Sequence, residues 1–137
     1  MKTDLPTATA SKTAIWTGRI LSALGALFFL FDGIMKLFKP VFVVDATKQL
    51  GYSEQTIIPL GIVLIVCTLI YLVPRTAVLG AILLTGYLGG AVATHVRAGN
   101  GWFETLFPVI FAAIIWGGLL LREPRLRELF SLRRFPS

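Results

Sequence analysis

Cysteine and histidine each occur once in this sequence, as Cys67 and His95. A single cysteine allows no intramolecular disulfide, no C-x-x-C pair and no thiolate metal cluster. A single histidine rules out a multi-histidine metal or haem site within one chain, so no metal site is expected. Charge is scarce as well: only 15% of the residues are charged, 7 of them acidic and 13 basic. A soluble domain of this length needs a charged shell around a modest core, and these residues are too few to supply one. The sequence contains no Ser-His-Asp arrangement, no nucleotide-binding glycine loop and no H-E-x-x-H helix. It therefore names no catalytic residue and leaves open whether the chain is an enzyme.

Apolar residues make up 55% of the chain, and the charges cluster outside long apolar runs. Four such runs predict an all-α integral membrane four-helix bundle: about 14–37, 54–73, 76–95 and 102–121. The first run exceeds the h-region of a signal peptide and lacks a clear A-x-A site, so it reads as a spanning helix. Residues 1–13 are expected to form a flexible cytoplasmic tail. Residues 122–137 are expected to form a basic amphipathic cytoplasmic tail, with Leu126, Leu129 and Phe130 at helical spacing. Between the first two runs, Val43–Leu50 predicts a short amphipathic helix capped by Gly51, and Ser53 with Glu54 predicts the start of the second span. Pro74-Arg75 predicts a tight turn that makes the second and third spans antiparallel neighbours. Cys67, inside an apolar run, is expected to behave as a small hydrophobe.

The net charge of +6 does not point to nucleic acid here, because the basic residues lie next to apolar runs and suit an anionic leaflet. Four spans put both termini on one side. That side collects Lys2, Lys12, Arg75, Arg122, Arg125, Arg127, Arg133 and Arg134, against Lys36, Lys39, Lys48 and Arg97 on the other. The positive-inside rule therefore predicts cytoplasmic termini.

This orientation gathers the remaining ionisable residues at one depth in the outer half. Asp32 lies inside the first apolar run, where a carboxylate is costly, and Lys36 four residues later shares its helical face. His95 ends the third span and Glu104 opens the fourth. Tyr87 lies two turns before His95. Asp32, Lys36, Tyr87, His95 and Glu104 are therefore the candidate ligand-binding residues. Each also has a structural reading: an ion pair that locks packing, a packed tyrosine, and caps at helix ends. Gly86, Gly90 and Thr94 form a small-residue stripe expected to receive a neighbouring helix.

The segments Arg19-Ile-Leu-Ser-Ala-Leu24, Phe31-Asp-Gly-Ile-Met-Lys-Leu-Phe38, Tyr71 through His95, and Trp116-Gly-Gly-Leu119 resemble the DoxX-like family of small four-helix bacterial membrane proteins. The resemblance implies an association with quinol oxidation or redox-stress complexes. On that basis the chain is expected to be an accessory subunit of a membrane redox or quinone-linked system, with a small-molecule cavity in the outer leaflet half. It has no cofactor of its own, so a membrane redox partner supplies electrons to a quinone. The alternatives are a non-catalytic scaffold or assembly factor working with lipids or a partner, and a small-solute transporter working as a homo-oligomer. The lack of an inverted repeat argues against the last.

Overall fold

The computed structural model describes residues 11–129, and among these it contains helices and no strands. Six α-helices run in order: α1 (Lys12–Phe38), α2 (Val41–Gln49), α3 (Ile57–Leu72), α4 (Ala77–Ala98), α5 (Trp102–Arg122) and α6 (Pro124–Leu129). Helices α1, α3 (with the turn before it), α4 (with the turn before it) and α5 are long and apolar enough to cross a membrane. Residues 1–10 of the expected N-terminal tail, and 130–137 of the C-terminal tail with Phe130, lie outside the described residues.

Local chemistry sets the helix ends. Helix α1 starts two residues earlier than its apolar run, because the Ser11 hydroxyl accepts the Ala14 amide at 3.0 Å and caps it. It ends at Lys39, which takes a left-handed conformation (φ 55°), and Pro40 prevents continuation. Gly51 (φ 92°) turns the chain after α2. Ser53 is extended but makes no side-chain cap. A 3₁₀ turn (Glu54–Thr56) precedes α3 instead, and the Thr56 hydroxyl donates to the Ser53 carbonyl. A second 3₁₀ turn (Pro74–Thr76) joins α3 to α4, with the Thr76 hydroxyl donating to the Ile70 carbonyl at 2.8 Å. Helix α4 runs past His95 to Ala98, where Gly99 (φ 74°) supplies the left-handed residue that stops it.

The four long helices form an antiparallel ring: α1 lies between α3 and α5, and α4 lies opposite, again between α3 and α5. One end of the ring holds the start of α1, the α3–α4 turn and the end of α5. There the helices touch backbone to backbone. A Cβ on Gly18 would sit 2.6 Å from the Gly118 carbonyl oxygen, so α1 and α5 meet only because both residues lack side chains. A Cβ on Gly80 would collide with the backbone of Tyr71, so α3 and α4 meet in the same way. Tyr71 is fully buried at this crossing. Its hydroxyl donates to the Ile115 carbonyl at 2.9 Å and accepts from the Ser22 hydroxyl at 2.8 Å, tying α3 to α5 and α1. The Arg122 guanidinium lies 5.2 Å from the centre of the Tyr71 ring. Its Nε and Nη2 are buried without hydrogen-bond partners, so the ring face is what the charge meets.

Phe29, Leu64, Cys67, Leu84, Leu88, Ile115 and Leu119 continue the core, and Cys67 is free and buried. Leu126 packs into the same core, which folds α6 back under this end, while Leu129 is exposed. Most other apolar side chains point outward. Leu24, Leu27, Ile62, Leu79 and Ile82 are all exposed, a surface that water would penalise and hydrocarbon accepts.

Candidate functional site

The opposite end of the ring, where α1 and α4 end and α3 and α5 begin, is hollow. It encloses a cavity of about 580 Å³, within the usual range of small-molecule sites. Phe28, Phe29, Asp32 and Lys36 of α1 form one wall, and Leu60 and Leu64 of α3 a second. Helix α5 contributes Phe107, Pro108 and Phe111. Helix α4 contributes Gly86 through Leu88, Gly90, Ala91, Thr94 and His95. The roof is α2, through Phe42, Val43, Ala46 and Thr47, followed by Leu50 and Tyr52.

The floor is aromatic. Phe28 stacks on Phe111 with ring centres 4.2 Å apart, and Phe107 lies 5.0 Å from Phe111. Most of the polar groups gather nearer the roof, and Tyr87 lies about midway along α4. Lys36 donates to Asp32 Oδ2 at 2.5 Å, an ion pair across one helical turn in which the lysine is the more buried partner. Tyr87 lies within electrostatic reach of the Asp32 carboxylate. The Tyr87 hydroxyl has no hydrogen-bond partner among the described residues. The Thr94 hydroxyl donates to the Gly90 carbonyl at 2.8 Å and accepts from the Tyr52 hydroxyl at 2.9 Å. His95 Nδ1 pairs with the Asn100 side-chain amide at 2.7 Å, which turns that edge of the ring toward the end of its own helix.

The roof is tied down at several points. Glu54 bridges Lys39 at 3.0 Å and Lys48 at 3.7 Å, pinning both ends of α2 to the start of α3. Arg97 donates to the Leu50 carbonyl at 3.0 Å, joining the end of α2 to the end of α4. The left-handed Lys39 is therefore held partly by its own ion pair.

Of the sequence-predicted ligand residues, Asp32, Lys36, Tyr87 and His95 all line the cavity. Glu104 does not. It is exposed in the first turn of α5, with its carboxylate beside Gly101 at the helix N-terminus, a capping position. Gly86 and Gly90 lie on the cavity wall, where an added Cβ would meet no atom within 4 Å. Within the described chain no neighbouring helix packs on that face. The close helix approaches fall on other glycines, including Gly33 against Gly61, where a Cβ on Gly61 would sit 2.8 Å from the Gly33 carbonyl oxygen. Sequence reasoning missed Tyr52, the Arg97 tie and the aromatic floor. The last left a signal: Phe103, Phe107 and Phe111 recur every four residues, one stripe of a helix. Among the described residues no three His, Cys, Asp or Glu side chains group as metal ligands.

No curated protein and no solved structure matches the chain. A model of the DoxX-like family matches residues 20–118, which include all four long helices in whole or large part and every wall of the cavity. The chain belongs to the DoxX-like family and is a multi-pass membrane protein of four spanning helices.

Proposed function

We propose that the cavity binds a lipid-soluble molecule with a polar head, a quinone being the first candidate, and that the protein is an accessory subunit of a membrane redox system. The observation that carries this reading is the cavity's polarity. Its floor is built from phenylalanines, while its roof end offers a lysine, a carboxylate and an imidazole edge, and Tyr87 adds a free phenol about midway along α4. A planar aromatic head fits against Phe28 and Phe111, and its carbonyls find donors in Lys36 and Tyr87. Asp32 holds the lysine in place through their ion pair. A quinone supplies the redox chemistry, and a membrane partner supplies the electrons. The basic residues favour cytoplasmic termini in a bacterial inner membrane, which puts the cavity in the outer leaflet half.

The test is a thermal-unfolding series on purified protein in mild detergent with quinone analogues. Saturable stabilisation that disappears in Lys36→Met and Asp32→Asn is expected. An unchanged transition across the whole series would refute the reading.

A second reading, a non-catalytic scaffold or assembly factor, draws on Gly89. Like Gly86 and Gly90 it has nothing within 4 Å of a Cβ, and it is absent from the cavity wall, so this flank of α4 has room for a partner helix. A co-purifying membrane protein lost in Gly89→Leu, with the cavity residues dispensable, would favour it.

A further inference from the structure

The cavity is roofed on one side and open on another. Leu84 and Leu88 are buried and mark the side of α4 that faces the core. Gly86 and Gly90 each follow one of them by two residues, which is about 200° around a helix of 3.6 residues per turn. They therefore lie on the side of α4 turned away from the core, and both are exposed. Yet both line the same cavity as Leu88. A wall that runs from Leu88 round to Gly86 must pass a flank of the helix, so the cavity reaches the outer surface of the bundle there.

Contacts identify the flank. Thr85 accepts from the Trp116 indole of α5, which marks the opposite edge of α4. Gly80 meets Tyr71 of α3, and Thr94 meets Tyr52 just before α3. Gly90 is one turn before Thr94, so the opening lies on the α3 side, where half-buried Leu60 is the facing wall. Its depth follows from the helix rise. Gly86 lies nine residues after Ala77 and twelve before Ala98, about 14 and 18 Å from the two ends. That is the middle of a spanning helix, flanked by exposed Ile82 and Leu83. The aqueous approach is obstructed by α2, held through Glu54, Arg97 and Tyr52.

We propose that the ligand reaches this cavity sideways from the bilayer and remains partly in it. Its polar head sits beneath α2, and a long alkyl or isoprenoid tail crosses the bare Gly86–Gly90 strip into the hydrocarbon between α3 and α4. This inference rests on the reading of the cavity as a binding site for a lipid-soluble molecule and adds to it the requirement for a tail. Glycine at both positions leaves the passage clear, and the mid-span depth suits an apolar chain with no polar group along it.

The test compares a decyl-substituted benzoquinone with the same head group lacking the chain, both titrated against protein in lipid nanodiscs. The wild type is expected to bind the tailed compound at least about tenfold more tightly, the worth of two buried methylenes. Gly90→Phe and Gly86→Phe are expected to bring the ratio of the two affinities to about one. Gly89→Phe, open but off the cavity wall, is expected to leave both affinities unchanged. Equal affinity for the two compounds in the wild type, or a tail advantage that survives Gly86→Phe and Gly90→Phe, overturns the lateral opening while leaving the cavity reading intact. Failure of both compounds to bind removes that reading and the inference with it.

Discussion

The two ends of this bundle are built from the same four helices and packed in opposite ways. At the end that holds the α3–α4 turn, Tyr71 is wholly buried and helices approach until backbones touch at Gly18, Gly80 and Gly118. At the other end the helices enclose about 580 Å³. The connections account for part of this. Four residues, 73–76, join α3 to α4 and force them together. The link from α1 to α3 instead carries a helix of its own, and α2 settles across the gap as a roof. Side chains account for the rest. Tyr71 spends its hydroxyl inside the protein, bonded to Ser22 and Ile115. Tyr87 leaves its hydroxyl without a partner among the described residues. One end is closely packed, and the other presents donors and space.

The comparison predicts a ranking of substitutions. The largest effect belongs to Gly80→Leu, whose side chain meets the Tyr71 backbone. It should cost about 3 kcal/mol or more and abolish recovery of folded protein from detergent extracts. Recovery at wild-type yield would mean that this end is not closely packed. Next is Tyr71→Phe, which strips Ser22 and the Ile115 carbonyl of a shared partner. A loss of about 1–3 kcal/mol in unfolding stability is expected. Gly86→Ala inverts the sign: with open space around the Cβ, the helix gains up to about 1 kcal/mol, read as a small rise in Tm. A marked fall would place an atom where the structure has none. The smallest effect on Tm is expected for Glu54→Gln, which weakens the roof's ion pairs at an exposed position. Its signature is local: faster amide exchange across Val41–Gln49 with the four long helices unchanged.

Much of the hollow end could be read from the sequence, because depth in a membrane is a matter of counting. Residues near the ends of alternate spans share a level, so Asp32, Lys36 and His95 could be placed together without coordinates. The i,i+4 spacing of Asp32 and Lys36 gave their pairing directly. Glu104 separated from the group because sharing a depth does not mean facing inward; it turns toward its own helix N-terminus. The stripe Gly86–Gly90 was visible as a small face, but a period cannot say what stands opposite it. The packed end was less legible. Tyr71, Ser22, Ile115 and Arg122 come from three helices and lie 44 or more residues apart where they bond, and neither an aromatic residue nor a serine in an apolar run announces such a partner. Helix ends shifted by a few residues where capping outweighed hydropathy, as at Ser11 and Gly99.

The central claim, that the hollow end is a binding site for a lipid-soluble molecule, is tested most directly by photo-crosslinking. A photoactivatable quinone with a long tail would be irradiated with the protein in lipid nanodiscs, and the modified peptides mapped. The structure predicts labelling that saturates, is competed by unlabelled quinone, and falls on Phe28, Tyr87, Phe107 and Phe111. Labelling confined to lipid-facing residues such as Leu24, Ile62 and Leu79, with no competition, would contradict it.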